Sequence, residues 1–258
     1  MNFHRIEKRR DSTAGSRRPA ALDSSTAGEA AQGGDDAPGR VDPAGRLVDL
    51  PALAATPLQR DPYDHLIVPR FLAPEAVARV VADFPRPGGP GSFPVQVLRY
   101  GPAFAALLDE LRSEPVREAF AAKFGVDLSR RPSMITVRGE CRPTDGRIHT
   151  DSVEKIITVL IYLNEDWQSA TGRLRILRSG HDLDDFVAEA APEAGSMIAF
   201  RRSENSFHGH HPFSGPRRAI QLNWVTSRRY VIKEQLRHRL SAFGKRLGRR
   251  SRRDAPDS

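Results

Sequence analysis

The sequence predicts an α+β fold that is mainly β, namely an antiparallel sandwich or jelly roll with helices packed on one side. Helical patterns come first along the chain, and after Ser129 the pattern becomes extended. The extended segments are short, rich in Ile, Val, Leu and Thr, and separated by turn residues, with no helix between them. A parallel doubly wound sheet requires alternating helices, so this order favours the antiparallel arrangement.

Three helices are predicted in the first part of the chain. The first begins at Ala73-Pro-Glu, with proline near its first turn, and ends before the Pro/Gly cluster at residues 85–90. The second runs from Ala103 to Leu111 and the third from Glu114 to Phe124. Residues 61–72, which precede the first helix, are typical of a short strand that runs into a turn.

The second part of the chain predicts strands with a high content of β-branched residues. These strands are Met134–Arg138, Ile156–Leu163, Leu174–Leu177, Met197–Phe200 and Ala219–Val225.

Composition along the chain predicts one folded domain between two tails. Residues 1–45 have almost no large apolar side chains after Ile6, so we expect them to be disordered. The domain is expected at residues 46–227, with a helical start to about residue 128 and a jelly-roll core from about 131 to 227. Residues 228–258 are expected to form a basic amphipathic C-terminal helix and tail.

The net charge of +8 is concentrated in this tail. Residues 228–253 contain eleven Lys or Arg and one acidic residue, so the rest of the chain sums to about −2. The same segment carries apolar residues at helical spacing. They are Ile232, Leu236, Leu240, Phe243 and Leu247.

The tail has two interpretations. In the first, its helix packs on the domain and leaves a basic face in water. In the second, it contacts a membrane surface or an acidic partner. Nucleic acid is not expected as a partner, because the tail has no interleaved exposed aromatic residues and no known binding motif.

The cysteine content and the N-terminus predict a cytoplasmic protein. The single cysteine, Cys141, excludes an internal disulfide framework and indicates a reducing compartment. The charged N-terminus leads into no apolar stretch of the kind found in signal peptides, and no run of about 18 apolar residues occurs.

The candidate chemistry begins with His149-Thr-Asp151 and a distant histidine at position 208. Two side chains at i and i+2 of a strand point to the same side, and a later histidine can complete a three-ligand face on one metal. Two histidines and one carboxylate suit non-haem Fe(II), with positions left open for substrate and oxygen. An arginine pair follows the distal histidine and offers a fixed positive charge for a carboxylate.

Several motifs together resemble the prolyl-4-hydroxylase-like branch of the Fe(II)/2-oxoglutarate-dependent dioxygenases. The resemblance covers roughly residues 60 to 226, and the ordered combination is far more specific than His-x-Asp alone. The motifs are Arg147-Ile-His149-Thr-Asp151, Thr158-Val-Leu-Ile-Tyr162-Leu-Asn164, Thr171-Gly172-Arg-Leu, Gly195-Ser-Met-Ile-Ala-Phe200 and Ser206-Phe-His208-Gly-His-His-Pro212.

The resemblance implies a double-stranded β-helix and a set of cofactors. Fe(II) would be held by His149, Asp151 and a distal histidine, with 2-oxoglutarate chelating the metal and its far carboxylate bound to a basic residue. Family chemistry converts 2-oxoglutarate and O2 to succinate and CO2 while a C–H bond of a small-molecule or peptidyl substrate is oxidised. Ascorbate is a candidate additional cofactor.

Three histidines compete for the distal ligand position. His208 is preferred because Pro212 and an arginine follow it at the spacing of the family pattern. His210 shares its parity if the strand continues and would then lie near the metal. His211 is the third candidate.

The cosubstrate arginine is either Arg217 or Arg218. These residues are adjacent, so in a strand they point to opposite faces. Arg217 shares its face with Gln221 and Asn223, which suits a polar cavity, so it is preferred. The other arginine would be a solvated charge at the end of the strand.

Four further residues near these motifs have alternative interpretations. Tyr162 either donates its hydroxyl to the cosubstrate carboxylate or is an aromatic core residue. Asn164 is interpreted as a turn residue at a strand end. Asp145 and Glu154 are interpreted as solvated loop charges, with substrate contact as the alternative.

The sequence therefore predicts a 2-oxoglutarate-dependent dioxygenase that acts as a hydroxylase. The alternative from another class is a non-catalytic metal-binding jelly roll, a sensor or interaction module docked through its basic tail.

Overall fold

The computed structural model describes residues 45–237, and residues 1–44 and 238–258 lie outside this range. The disorder expected at the N-terminus and most of the basic tail therefore lie outside the described residues. The domain limits of 46 and 227 stay a prediction.

Four α-helices, nine strands and a short 3₁₀ turn at Val95–Val97 lie between residues 45 and 225, and residues 228–237 are also helical. The helices are α1 Leu50–Ala55, α2 Pro74–Ala82, α3 Pro102–Leu111 and α4 Glu114–Phe124. The strands are β1 His65–Val68, β2 Ser92–Pro94, β3 Ser133–Cys141, β4 Lys155–Tyr162, β5 Leu174–Leu177, β6 Phe186–Ala190, β7 Met197–Arg201, β8 His208–Gly209 and β9 Gly215–Val225.

Local residues explain where the helices begin and end. A proline occupies the first turn of all four helices, where its missing N–H is not needed. Helix α4 ends at Gly125, whose φ of 62° is left-handed and favours glycine. After α2, the Asp83 carboxylate accepts a hydrogen bond from the Ala103 N–H at the start of α3 (Oδ2 to N, 2.6 Å).

The strands form two antiparallel sheets. The larger has six strands in the order β1-β7-β4-β9-β3-β2, and the smaller has three in the order β6-β5-β8. Every strand pair in these sheets is antiparallel. The predicted mainly β jelly roll, the double-stranded β-helix, is therefore confirmed.

Strand β9 separates the hydrophobic core from the space between the sheets. It pairs with β3 on one side and β4 on the other. Its side chains Ile220, Leu222 and Trp224 are buried in the core that the helices share. The Trp224 ring lies 5.0 Å from the Phe120 ring of α4, centroid to centroid. The alternate residues of β9 face the other way, toward the smaller sheet.

A second apolar cluster lies between the two sheets. It joins Tyr162 of β4 and Phe200 of β7 to Ile176 of β5. Phe200 of this cluster also lines the cavity between the sheets.

Sequence reasoning missed α1, β2, β6 and β8. Strands β2 and β8 have three and two residues, too few to show an alternating pattern. Strand β6 lies in an acidic segment and pairs only with β5, so it is an edge strand with little buried surface. Strands β1 and β2 also join the larger sheet, so the mainly helical first part of the chain supplies two of its strands.

Residues 228–237 are helical and follow β9 directly. Tyr230 is buried against Met134 and Val225. Ile232 and Leu236, in contrast, are 58% and 54% exposed. The first interpretation of the tail was that its helix packs on the domain. The structure differs from it at these two positions, where the apolar stripe does not face the domain. No helix within residues 45–237 is long and apolar enough to cross a membrane.

We expect Phe120→Ala to destabilise the protein by about 3–5 kcal/mol. Phe120 is fully buried and contacts both Trp224 and Phe71, so its removal leaves a cavity between the helices and the larger sheet. Denaturant unfolding of the full chain measures this cost. Val153→Ala, at a position 64% exposed, is the control and should change stability by less than about 0.5 kcal/mol. A cost below about 1 kcal/mol for Phe120→Ala would contradict this packing.

Candidate functional site

The backbones of His149 and His208 form a two-way bridge. The His149 N–H donates to the His208 carbonyl at 3.1 Å, and the His208 N–H donates to the His149 carbonyl at 3.0 Å. The two rings lie 4.4 Å apart, centroid to centroid. The short strand β8 thus fixes the distal histidine against the loop that carries the proximal one.

Backbone carbonyls also fix the tautomers of both rings. His149 Nδ1 lies 2.8 Å from the Arg147 carbonyl, and His208 Nδ1 lies 2.9 Å from the Ser206 carbonyl. A carbonyl can only accept, so in each neutral ring Nδ1 carries the proton. The lone pair is then on Nε2 in both residues, as metal coordination requires.

Asp151 is buried and accepts hydrogen bonds on both carboxylate oxygens. Lys155 Nζ donates to Oδ1 at 2.6 Å, and Thr158 Oγ1 donates to Oδ2 at 2.5 Å. Burial by itself would raise the pKa of Asp151, but the charges of Lys155 and His208 and these hydrogen bonds outweigh it and lower the pKa to about 2. The carboxylate is therefore ionised at neutral pH.

His208 is neutral at neutral pH. Burial lowers its pKa to about 4, and the positive charge on a protonated His149 would act in the same direction, against the attraction of Asp151. A metal therefore does not have to displace a proton from this ring at neutral pH.

Thr158 connects Asp151 to Asn223 on β9. Thr158 Oγ1 lies 2.5 Å from Asp151 Oδ2 and 2.9 Å from Asn223 Oδ1, yet a hydroxyl has one proton. The ionised carboxylate takes that proton, so the Asn223 amide must turn its Nδ2 toward the hydroxyl. This orientation also gives a partner to Asn223 Nδ2, which otherwise has none although it is buried.

The three side chains fit one metal ion. A ligand atom from each of His149, Asp151 and His208 lies within 4.8 Å of the other two. Two imidazole nitrogens with fixed tautomers and one ionised carboxylate make the donor set expected for Fe(II) with open positions. The predicted three residues are thus brought together by the fold.

This triad lines a cavity of about 400 Å³, and Arg217 lines the same cavity. Arg217 is 4% exposed. Its Nε donates to the Gly172 carbonyl at 2.7 Å, and its Nη2 lies 3.3 Å from the Tyr162 hydroxyl. Within residues 45–237 no carboxylate forms an ion pair with Arg217, and a buried charge without a counter-ion is costly.

Arg218 lies on the other face of β9. Its guanidinium stands over the Phe84 ring at 5.7 Å, and it lines a separate cleft of about 660 Å³ together with Glu165. The lining of that cleft contains no member of the triad. The structure thus places the two adjacent arginines as the alternation of a strand requires.

Tyr162 is fully buried beside Arg217. The Arg217 guanidinium lies 5.1 Å from the Tyr162 ring centroid. Burial raises the pKa of Tyr162, although Arg217 opposes that change. The hydroxyl is therefore protonated and can donate to an anion held by Arg217.

The other two histidines lie at different places. His210 lines the cavity, is 5% exposed, and contacts the His211 carbonyl through Nδ1 at 2.8 Å. Burial, with help from Arg217, lowers the pKa of His210 to about 4. His211 is near the surface, where its Nε2 lies 2.8 Å from Asp184.

The remaining sequence candidates make the following contacts within the described chain. Asn164 bonds the Pro192 carbonyl and the Arg218 N–H, which joins the end of β4 to β9. Asp145 pairs with Arg138 at 2.7 Å. The backbone carbonyl of Glu154 accepts from the Thr226 N–H.

Sequence reasoning missed several residues of the cavity. Thr158 is a polar residue in an otherwise apolar strand, and this was the available signal. Lys155 follows Asp151 by four residues, but the loop that brings them together has no pattern. Tyr230, Glu234 and Arg237 of the C-terminal helix also line the cavity, which no motif indicated.

One family model matches the chain. Residues 141–226 match the model described as "2OG-Fe(II) oxygenase superfamily". This segment starts at the end of β3, includes the triad and Arg217, and ends just after β9. The match confirms the resemblance at the level of the superfamily, which implies Fe(II), 2-oxoglutarate and O2 and supports an oxidoreductase. No curated protein matches the sequence.

Solved structures with similar chains include three prolyl hydroxylases. The Pseudomonas putida prolyl-4-hydroxylase is 18% identical with a TM-score of 0.45, and the match covers 69% of this chain and 97% of that one. A Phytophthora capsici prolyl 4-hydroxylase is 14% identical with a TM-score of 0.49, covering 74% and 69%. A collagen prolyl hydroxylase of Paramecium Bursaria Chlorella virus-1 is 11% identical with a TM-score of 0.43, covering 63% and 96%.

We expect Thr158→Val to weaken metal binding by about 10- to 100-fold, because Asp151 loses a donor that orients it. Titration of the metal-free protein with Co(II), followed by absorbance, measures the affinity. Thr158→Ser keeps the hydroxyl and should bind Co(II) like the wild type. Wild-type affinity in Thr158→Val would show that this hydrogen bond does not position the carboxylate.

We expect the metal-free protein to lose thermal stability between about pH 7 and about pH 5. In the folded protein the pKa values of His208 and His210 are about 4, below the ordinary value of 6.5. In this window the unfolded chain binds protons that the folded chain does not, so acidification favours unfolding. His210→Gln should show a smaller fall in Tm over the same window. An equal fall in this variant would contradict the lowered pKa of His210.

Proposed function

We propose that this protein is a 2-oxoglutarate-dependent hydroxylase that acts on a C–H bond of a small-molecule or peptidyl substrate. In the overall reaction, one oxygen atom of O2 enters the new hydroxyl group and the other enters succinate, while 2-oxoglutarate loses CO2. A cytoplasmic location, indicated by the single cysteine, and a role for ascorbate as an added reductant are also proposals.

The observation that carries this proposal is Arg217, a buried guanidinium in the cavity of the triad that forms no ion pair with a carboxylate of residues 45–237. A buried charge without a counter-ion destabilises the folded protein. A ligand with a carboxylate would supply that counter-ion. A dicarboxylate would fit this cavity. One of its carboxylates would bind at the metal position, and the other would bind Arg217 and the Tyr162 hydroxyl. The cavity of about 400 Å³ has space for both this cosubstrate and part of a substrate.

The residues of the chain have separate roles in this proposal. His149, Asp151 and His208 would hold Fe(II), which when bound supplies the activation of O2. Thr158 and Lys155 orient the Asp151 carboxylate through their hydrogen bonds. Arg217 fixes the far carboxylate of 2-oxoglutarate by a charge-assisted hydrogen bond. Phe200 and Leu174, which line the cavity, exclude water from it.

We expect His149→Ala and Asp151→Ala to abolish succinate formation from 2-oxoglutarate in the presence of Fe(II), O2 and ascorbate. Each variant removes one of three ligands, so metal binding should fall with activity. Direct measurement of Co(II) and 2-oxoglutarate binding accompanies the assay, because turnover is slow when the true substrate is absent. Equal turnover in the wild type and both variants would refute the assignment.

The binding measurements distinguish the alternative function. A non-catalytic metal-binding module would bind Co(II) through the same triad but would neither bind nor consume 2-oxoglutarate. Binding of 2-oxoglutarate that depends on the metal and on Arg217 supports the oxygenase.

The two adjacent arginines provide a matched pair of variants. Arg217→Met should weaken 2-oxoglutarate binding by about 10- to 100-fold, because a hydrogen bond to a charged group is lost. Arg218→Met should leave the affinity within about twofold, since Arg218 faces the other cleft. Calorimetric titration with 2-oxoglutarate in the presence of Mn(II) measures both. A larger effect in Arg218→Met would reverse the assignment.

A further inference from the structure

The C-terminal helix, residues 228–237, has an inner side that closes the cavity. Tyr230 and Glu234 are 9% and 7% exposed, and with Arg237 they line the cavity of the triad. The Tyr230 hydroxyl lies 2.9 Å from Ser152 Oγ, next to Asp151. Glu234 bonds Arg237 on the same side of the helix. The start of the basic tail is therefore part of the site wall.

The outer side of this helix exposes apolar side chains. Ile232 and Leu236 are spaced by four residues, so they lie on one face. They are 58% and 54% exposed, and the other exposed large hydrophobic residues of the described range are Tyr100 at 37% and Val153 at 64%. Ile232 and Leu236 therefore do not take part in the packing of this helix against the described domain.

The charges around the stripe are all positive. Arg228, Arg229 and Lys233 accompany Ile232 and Leu236, and we call these five residues the outer face. The one acidic residue of the helix, Glu234, is buried on the inner side. In the sequence that follows, residues 238–253 add seven Lys or Arg and no acidic residue. The apolar spacing continues there with Leu240, Phe243 and Leu247.

We propose that the outer face binds the surface of an anionic lipid bilayer. A lipid surface uses both properties of the face: Ile232 and Leu236 enter the boundary between headgroups and acyl chains, and the cations remain near the phosphates. An acidic protein or a nucleic acid would account for the charges but would leave the exposed stripe without a role. The outer face also has no aromatic residue on which bases could stack.

This arrangement places the bilayer and the cavity on opposite sides of one helix, whose diameter is about 10 Å. Binding to the membrane would thus hold the cavity wall close to the lipid surface. The membrane contact itself does not depend on the proposed hydroxylase activity.

Vesicle sedimentation with the full chain tests this proposal. We expect the wild type to bind phosphatidylcholine vesicles that contain phosphatidylglycerol, and to bind vesicles of phosphatidylcholine alone much less. The double variant Ile232→Ser/Leu236→Ser should weaken binding to the anionic vesicles by about tenfold or more, because two apolar side chains no longer insert. The triple variant Arg228→Gln/Arg229→Gln/Lys233→Gln should weaken it as well.

Tyr100→Ser is the matched control, since it removes an exposed large side chain of another segment and should leave vesicle binding unchanged. The double variant should keep the wild-type Tm and the wild-type rate of succinate formation in solution, because its residues do not line the cavity. Two results would overturn the proposal: no preference of the wild type for anionic vesicles, or undiminished binding of the double variant. Neither result depends on whether the protein turns over 2-oxoglutarate.

Discussion

The alternation of side chains along β9 is the constraint on which the rest of the structure depends. This strand is paired on both sides, by β3 and β4, so its register is fixed and a shift by one residue would reverse every side chain. On one face Ile220, Leu222 and Trp224 complete the core with the helices. On the other, Arg217 and Asn223 form the polar wall of the cavity. The burial of the core thereby places a guanidinium in the cavity at a position where no carboxylate of the described chain pairs with it.

Hydrogen bonds of the chain itself prepare the triad for a metal. The mutual backbone bonds of His149 and His208 set the spacing of the rings, and carbonyls set their tautomers. Thr158 connects Asp151 to the same strand that carries Arg217. The proposed metal position and the proposed cosubstrate anchor are thus held by one hydrogen-bonded framework, so a distortion of β9 would affect both.

Much of this could be read from the sequence because it has a period or a motif. The order of helices and strands predicted the fold. The alternation of side chains along β9 predicted which of the two arginines faces the cavity. The parts that were missed have neither: β8 has two residues, and Lys155 reaches Asp151 only through the conformation of a loop. The sequence left the orientation of the C-terminal helix open, because its apolar stripe suited either the domain or an outside surface. In the structure Tyr230, bonded to Ser152, and Glu234 occupy the inner face.

A crystal structure with Mn(II) and 2-oxoglutarate tests the central claim most directly, because it locates both ligands at once. The account predicts Mn(II) bound to His149 Nε2, His208 Nε2 and an Asp151 oxygen, with positions left open for the cosubstrate. It also predicts the far carboxylate of 2-oxoglutarate on the Arg217 guanidinium and the Tyr162 hydroxyl. A metal bound elsewhere, or a dicarboxylate paired with Arg218, would contradict it.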